Sequence, residues 1–157
     1  MKNITANLSA EGRLQWDVPP GKWRIARVGF TSTGRMVSPA TAEGKGLECD
    51  KLDAKTVRFH LEQYVGKVAG RPDGKSLVAM QIDSWHADIQ NWTDGYEQRF
   101  RERLGYDILS FMPTLLEGWI IDNADVSERV LWDWRRFLSD QFSENYYSVM
   151  HAFAKEK

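Results

Sequence analysis

Cysteine is almost missing from this sequence. Cys49 stands alone among 157 residues, which excludes an internal disulfide framework and a cysteine-rich zinc site. An excess of charge of either sign is also missing: 21 Lys+Arg face 22 Asp+Glu, for a net charge of −1. A nucleic-acid binder usually carries a basic stripe for phosphates, and this balance argues against one. Long apolar runs are absent. The longest, near Leu77–Met80 and Leu115–Ile121, fall well short of the about twenty residues of a membrane span. Met1–Gly12 lacks the apolar core of a secretory signal. Gly29, Gly34, Gly44 and Gly46 have neither the spacing nor the Lys-Ser/Thr ending of a phosphate loop.

What remains is a globular composition. Hydrophobic residues make up 42% and charged residues 27%, enough apolar content to exclude a disordered chain. Seven Trp are unusual for this length; they fill cores or supply stacking surfaces. Residues 1–50 form a strand and loop region. Leu14–Val18 and Trp23–Phe30 read as strands joined at Pro19-Pro20-Gly21, which predicts an N-terminal β-hairpin. Thr31–Cys49 reads as a long loop.

Residues 51–157 read as a helix–strand–helix region. Asp53 stands where an N-cap belongs, followed by Val57, Leu61, Tyr64, Val65 and Val68 at helical spacing. Leu77–Ile82 reads as a buried strand ending in Asp83. Thr93 is placed to cap a helix through Leu104, with Gly105 as its left-handed C-cap. A short helical piece ends at Gly118. Asp125–Glu128 has capping-box spacing, and opens a helix striped by Leu131, Trp134, Leu138, Phe142, Tyr146, Val149 and Phe153. At roughly 1.5 Å per residue that helix would be about 40 Å long. A helix-flanked buried strand predicts an α/β fold with a parallel sheet. Two or three strands are few for a closed sheet, so the pattern reads as a piece of a larger barrel or sandwich.

Four stretches could carry chemistry. In Asp83-Ser84-Trp85-His86-Ala87-Asp88 a carboxylate follows a strand, where acid–base groups sit in α/β barrels. The competing reading makes Asp83 a loop cap and His86 an ordinary hydrogen-bonding loop residue. In Asn91-Trp92-Thr93-Asp94, Trp92 is suited to stack on a sugar face beside the Asn91 amide. The same residues also suit a plain helix start. Glu48 and Asp50 would face one way in an extended segment and could contact sugar hydroxyls or a cation; an exposed charged loop is the simpler reading. Trp132-Asp133-Trp134-Arg135-Arg136 fits core packing with surface ion pairs.

Taken in order, Gly21–Gly29, Gly46–Leu52, Asp83-Ser84-Trp85, Asn91-Trp92-Thr93, Gly105-Tyr106-Asp107 and Glu128–Arg135 resemble the α-L-rhamnosidase family of bacterial glycoside hydrolases, family 106. The resemblance implies a partial (β/α)-barrel-like fragment of a longer catalytic chain, acting with inversion on terminal L-rhamnose of plant glycans. It implies a calcium ion at the site and a periplasmic or extracellular parent enzyme. It assigns His86 and Asp83 to catalysis and Trp85, Asn91 and Trp92 to substrate binding; Glu48 and Asp50 are added to the substrate-binding set from their own spacing, for sugar-hydroxyl or cation contacts. The family usually reads Asp-Ser-aromatic-Glu, whereas this chain has Asp83-Ser84-Trp85-His86. Inverting hydrolysis needs two carboxyl groups about 6.5–9.5 Å apart, and imidazole does not simply replace one. The second carboxylate is expected beyond Lys157, and little turnover is expected from this chain alone. The alternative is a non-catalytic carbohydrate-binding or structural module derived from the same family.

Overall fold

A computed structural model describes residues 1–69, 71, 77–83 and 89–157. Six α-helices are formed among them: α1 (Ala54–Gln63), α2 (Val65–Ala69), α3 (Tyr96–Leu104), α4 (Met112–Glu117), α5 (Ala124–Phe142) and α6 (Ser148–Glu156). None is long and apolar enough to cross a membrane.

The expected α/β fold, with its N-terminal β-hairpin and (β/α)-barrel-like fragment, is not what the described residues form. Their only β pairing is two isolated antiparallel bridges, Leu8 with Leu14 and Met36 with Leu47. The Pro19-Pro20-Gly21 turn does bring the two expected strands together, but through side chains. Trp16 and Trp23 pack edge to face at 5.2 Å, and Trp23 Nε1 donates to the Pro19 carbonyl at 2.8 Å. Adjacent prolines remove two backbone donors at the point where a ladder would start. Leu77–Asp83 likewise forms no strand. A strand exists only when its backbone is paired, and no described residue pairs with it. Met80 nevertheless reaches the core.

The helix signals correspond more closely to the structure. Asp53 caps α1, accepting from the Lys55 and Thr56 amides at 3.2 Å each. Burial raises its pKa, but the Thr56 hydroxyl and the two amides outweigh that and hold the carboxyl below its ordinary range. Gly105 and Gly118 end α3 and α4 in the left-handed conformation, with φ of 81° and 69°, where a Cβ would be strained. Two helix starts differ from expectation. Gly95, not Thr93, precedes α3. Asn123 opens α5 by accepting from the Val126 amide at 2.9 Å, ahead of the Asp125 box.

The long helical run crosses two cores. Val130 and Phe137 of α5 pack with Tyr96, Phe100 and Ile108. Phe153 of α6 packs with Val57 and Leu61 of α1. Between them Ser143–Tyr147 form one π-helical turn. The extra residue in such a turn rotates the helix beyond it, so one continuous helix serves two differently oriented surfaces. Gly66 permits the second core to close: a Cβ there would lie 3.3 Å from the Phe153 ring and 3.2 Å from the Leu61 carbonyl.

Candidate functional site

The segment Glu48–Leu52 enters α1, and the segment 90–93 enters α3. These two approaches are clasped together although they lie about forty residues apart in sequence. The Gln90 side-chain amide imitates a strand partner. Its Oε1 accepts from the Lys51 amide at 3.0 Å, and its Nε2 donates to the Cys49 carbonyl at 3.1 Å. Asp50 closes the other end. One carboxylate oxygen accepts from the Thr93 hydroxyl and the other from the Leu52 amide.

Lys51 completes the clasp. Its ammonium holds Glu48 Oε2 at 2.9 Å, with the two side chains only 6% and 12% exposed. The ammonium also lies 5.7 Å from the Tyr146 ring, which the π turn presents. Burial pushes the Tyr146 phenol up, and the neighbouring Cys49 and Glu48 add to the shift. Burial likewise raises the Cys49 thiol against the pull of Lys51.

Four of the expected site residues are therefore gathered at one place: Glu48, Asp50, Asn91 and Trp92. Trp92 is half-buried and stacks on Tyr96 at 4.4 Å between ring centroids. Tyr96 in turn meets Phe100 and Phe137, so the indole is braced by the first core. A braced ring with one side against protein is suited to offer its other side to a flat apolar ligand face. Asp83 is exposed, and no described contact joins it to the clasp. Trp85 and His86 lie outside the described residues. Two grooves, of about 480 and 430 Å³, lie elsewhere: one beside Arg58 and Phe59, the other between Arg24 and Trp119.

The described residues hold no group of three His, Cys, Asp or Glu side chains able to grip a metal ion. Asp50 and Glu48 already serve Thr93, Leu52 and Lys51, so they do not form a calcium cage by themselves. Sequence reasoning missed Gln90, Thr93, Lys51 and Tyr146 as members of this cluster. Only the Glu48–Lys51 pair carried a local signal, opposite charges three residues apart. Gln90 and Tyr146 join through the tertiary fold alone. The Trp132–Arg136 stretch is structural: Asp133 accepts from the Tyr106 hydroxyl at 3.0 Å, and Trp134 packs on the first core.

The chain is 38% identical over 149 residues to a protein of Formosa agariphila provisionally named a beta-glucuronidase. That match covers 93% of this chain and 13% of the relative. The fold is similar to the solved rhamnosidase of Novosphingobium sp. PP1Y, with a TM-score of 0.77 and 30% identity. That likeness covers 98% of this chain and 15% of the rhamnosidase. This chain thus spans less than a sixth of the length of either protein. All of residues 1–157 match glycoside hydrolase family 106, described as alpha-L-rhamnosidase. This chain belongs to that family.

Proposed function

We propose that this chain is part of a larger glycoside hydrolase that removes terminal L-rhamnose from plant glycans with inversion of the anomeric centre. The observation that carries the reading is the family match over all 157 residues. The clasp supports it by giving the expected sugar-binding stretch a rigid footing. In this reading Trp92 stacks on the apolar face of the sugar, with the neighbouring Asn91 amide as a hydrogen-bonding partner, and Trp85 is assigned to substrate binding by the family resemblance alone. Glu48 and Asp50 act through Lys51 and Thr93 to hold that wall in place. Asp83 and His86 belong to the catalytic stretch. One carboxyl group protonates the leaving oxygen and a second activates water, so the described chain requires a further carboxylate from the rest of a longer protein. A calcium ion, if bound, would need more ligands than any one cluster of the described residues supplies, and no step is routed through it. With plant glycans as its substrates, such an enzyme would work in the periplasm or outside the cell.

Aryl glycosides test the reading. The 157-residue chain alone should release no aryl alcohol from an aryl α-L-rhamnoside. A longer polypeptide containing it should do so and yield the inverted anomer by proton NMR. Cleavage of an aryl β-D-glucuronide but not of the rhamnoside would overturn the substrate assignment. The non-catalytic alternative is favoured by one observation, the His86 found where the family usually has Glu. A longer polypeptide that is inactive both with His86 and with His86→Glu would establish that alternative.

A further inference from the structure

Residues 22–30 present a surface that nothing among the described residues occupies. Trp23, Ile25, Val28 and Phe30 are 43–59% exposed. They continue onto the end of α4, where Leu116, Trp119 and Ile120 are 38–68% exposed. The two parts meet across the 430 Å³ groove, with the Arg24 guanidinium 5.0 Å from the centre of the Trp119 ring. Single exposed apolar residues are ordinary, but a contiguous patch of this kind marks an interface.

The main chain gives a second, independent sign. Among the described residues, no backbone hydrogen bond joins any of residues 22–34 to another part of the chain. Lys22–Phe30 contains no proline, so every residue there has an amide free to donate. A segment with open donors and acceptors and projecting apolar side chains is suited to accept a strand along its edge.

We propose that this edge docks a strand from another part of the same, longer polypeptide. The proposal rests on the reading that the chain belongs to a larger hydrolase. Both similar proteins match nearly all of this chain with less than a sixth of their own length. Either therefore has ample further polypeptide to supply the strand. A second copy of the chain fits less well. Lys22, Arg24 and Arg27 are the only charged residues of Lys22–Phe30 and all are cationic, so a second copy of the segment would bring like charge to like. The docked strand is apolar where it meets Ile25, Val28 and Leu116, and carries carboxylates where it passes the two arginines.

Hydroxyl-radical footprinting of the protein as made in its own cells, beside the 157-residue chain alone, tests this. In the isolated chain Trp23, Ile25, Phe30 and Trp119 should be oxidised freely. In the intact protein their oxidation should fall about fivefold, towards the level of an interface core. The Ile25→Asp, Val28→Asp pair should leave the helical circular dichroism of the isolated chain unchanged, because both side chains are exposed. In the intact protein the same pair should restore oxidation at Trp23 and Trp119. Equal oxidation in both proteins overturns the proposal. Protection in the isolated chain that grows with its concentration also overturns it, because a second copy would then be the occupant. The readout is independent of turnover: protection without rhamnosidase activity leaves the docking edge standing and removes the functional reading instead.

Discussion

Removing the Asp50 carboxylate should unfasten the clasp, and the structure sets the size of the effect. Asp50 accepts two hydrogen bonds, from the Thr93 hydroxyl and the Leu52 amide. Both donors belong to buried residues, Thr93 at 4% and Leu52 at 1% exposure. A hydrogen bond to a charged acceptor contributes about 1.5–3 kcal/mol, and a buried donor left unpaired costs about 1–3 kcal/mol. Asp50→Ala deletes one acceptor that serves two donors, so about 3 kcal/mol is expected once the segment relaxes. For a chain of this size that corresponds to a fall in Tm of roughly 6–12 °C. Asp50→Asn keeps one acceptor oxygen and should cost about 1 kcal/mol. Thr93→Val removes the other partner without leaving a hydroxyl stranded. Urea unfolding of Asp50→Ala, Thr93→Val and the double variant forms a cycle, and the coupling should be about 1.5 kcal/mol. Strictly additive single effects would show that the two side chains do not act as a pair, and would refute the clasp as described.

Further outcomes rest on the same physics. Asp53→Ala should cost about 1 kcal/mol by uncapping α1. Because the Asp53 carboxyl is held below its ordinary range when folded, its stabilisation is full above the unfolded value and is lost as pH falls through the folded one; acid titration of the variant should lack that component. Burial, with help from Asp133, holds the Tyr106 phenol above its ordinary range, and burial alone does so for Tyr96. Their contribution to stability should be full below the unfolded tyrosine value of about 10 and should fall as pH rises past it, which alkaline unfolding curves of Tyr106→Phe would isolate. Gly66→Ala gains helix propensity of about 1 kcal/mol but forces a methyl against Phe153, at a cost of about 1–3 kcal/mol. A net loss of Tm is expected, relieved only in part by Phe153→Leu because the Leu61 carbonyl lies as close to the added methyl.

Short-range signals were the legible part of this sequence. Asp53, Gly105 and Gly118 act within one turn of their own helices, so residue type and position suffice to place them. The α5–α6 stripe was visible for the same reason, but the π turn was not: no residue type marks where a helix must rotate to serve a second core. The strands failed differently. Trp23–Phe30 and Leu77–Ile82 have strand composition, but a strand is a relation between two segments, and the described residues hold no partner for either. The site was legible as a set of residues before it was legible as a place. Glu48, Asp50, Asn91 and Trp92 each suggested sugar chemistry, while Gln90, Thr93 and Tyr146, which bring them together, carry no such signal.

Whether Trp92 meets a sugar decides the central claim. Two-dimensional NMR of the chain's seven tryptophan indoles, titrated with L-rhamnose, measures this directly. A saturable shift of the Trp92 indole is expected, absent from exposed Trp132, preserved in Asp50→Asn and lost in Asp50→Ala. A dispersed spectrum in which Trp92 does not move, or moves no more than the other indoles, would contradict the sugar-binding role.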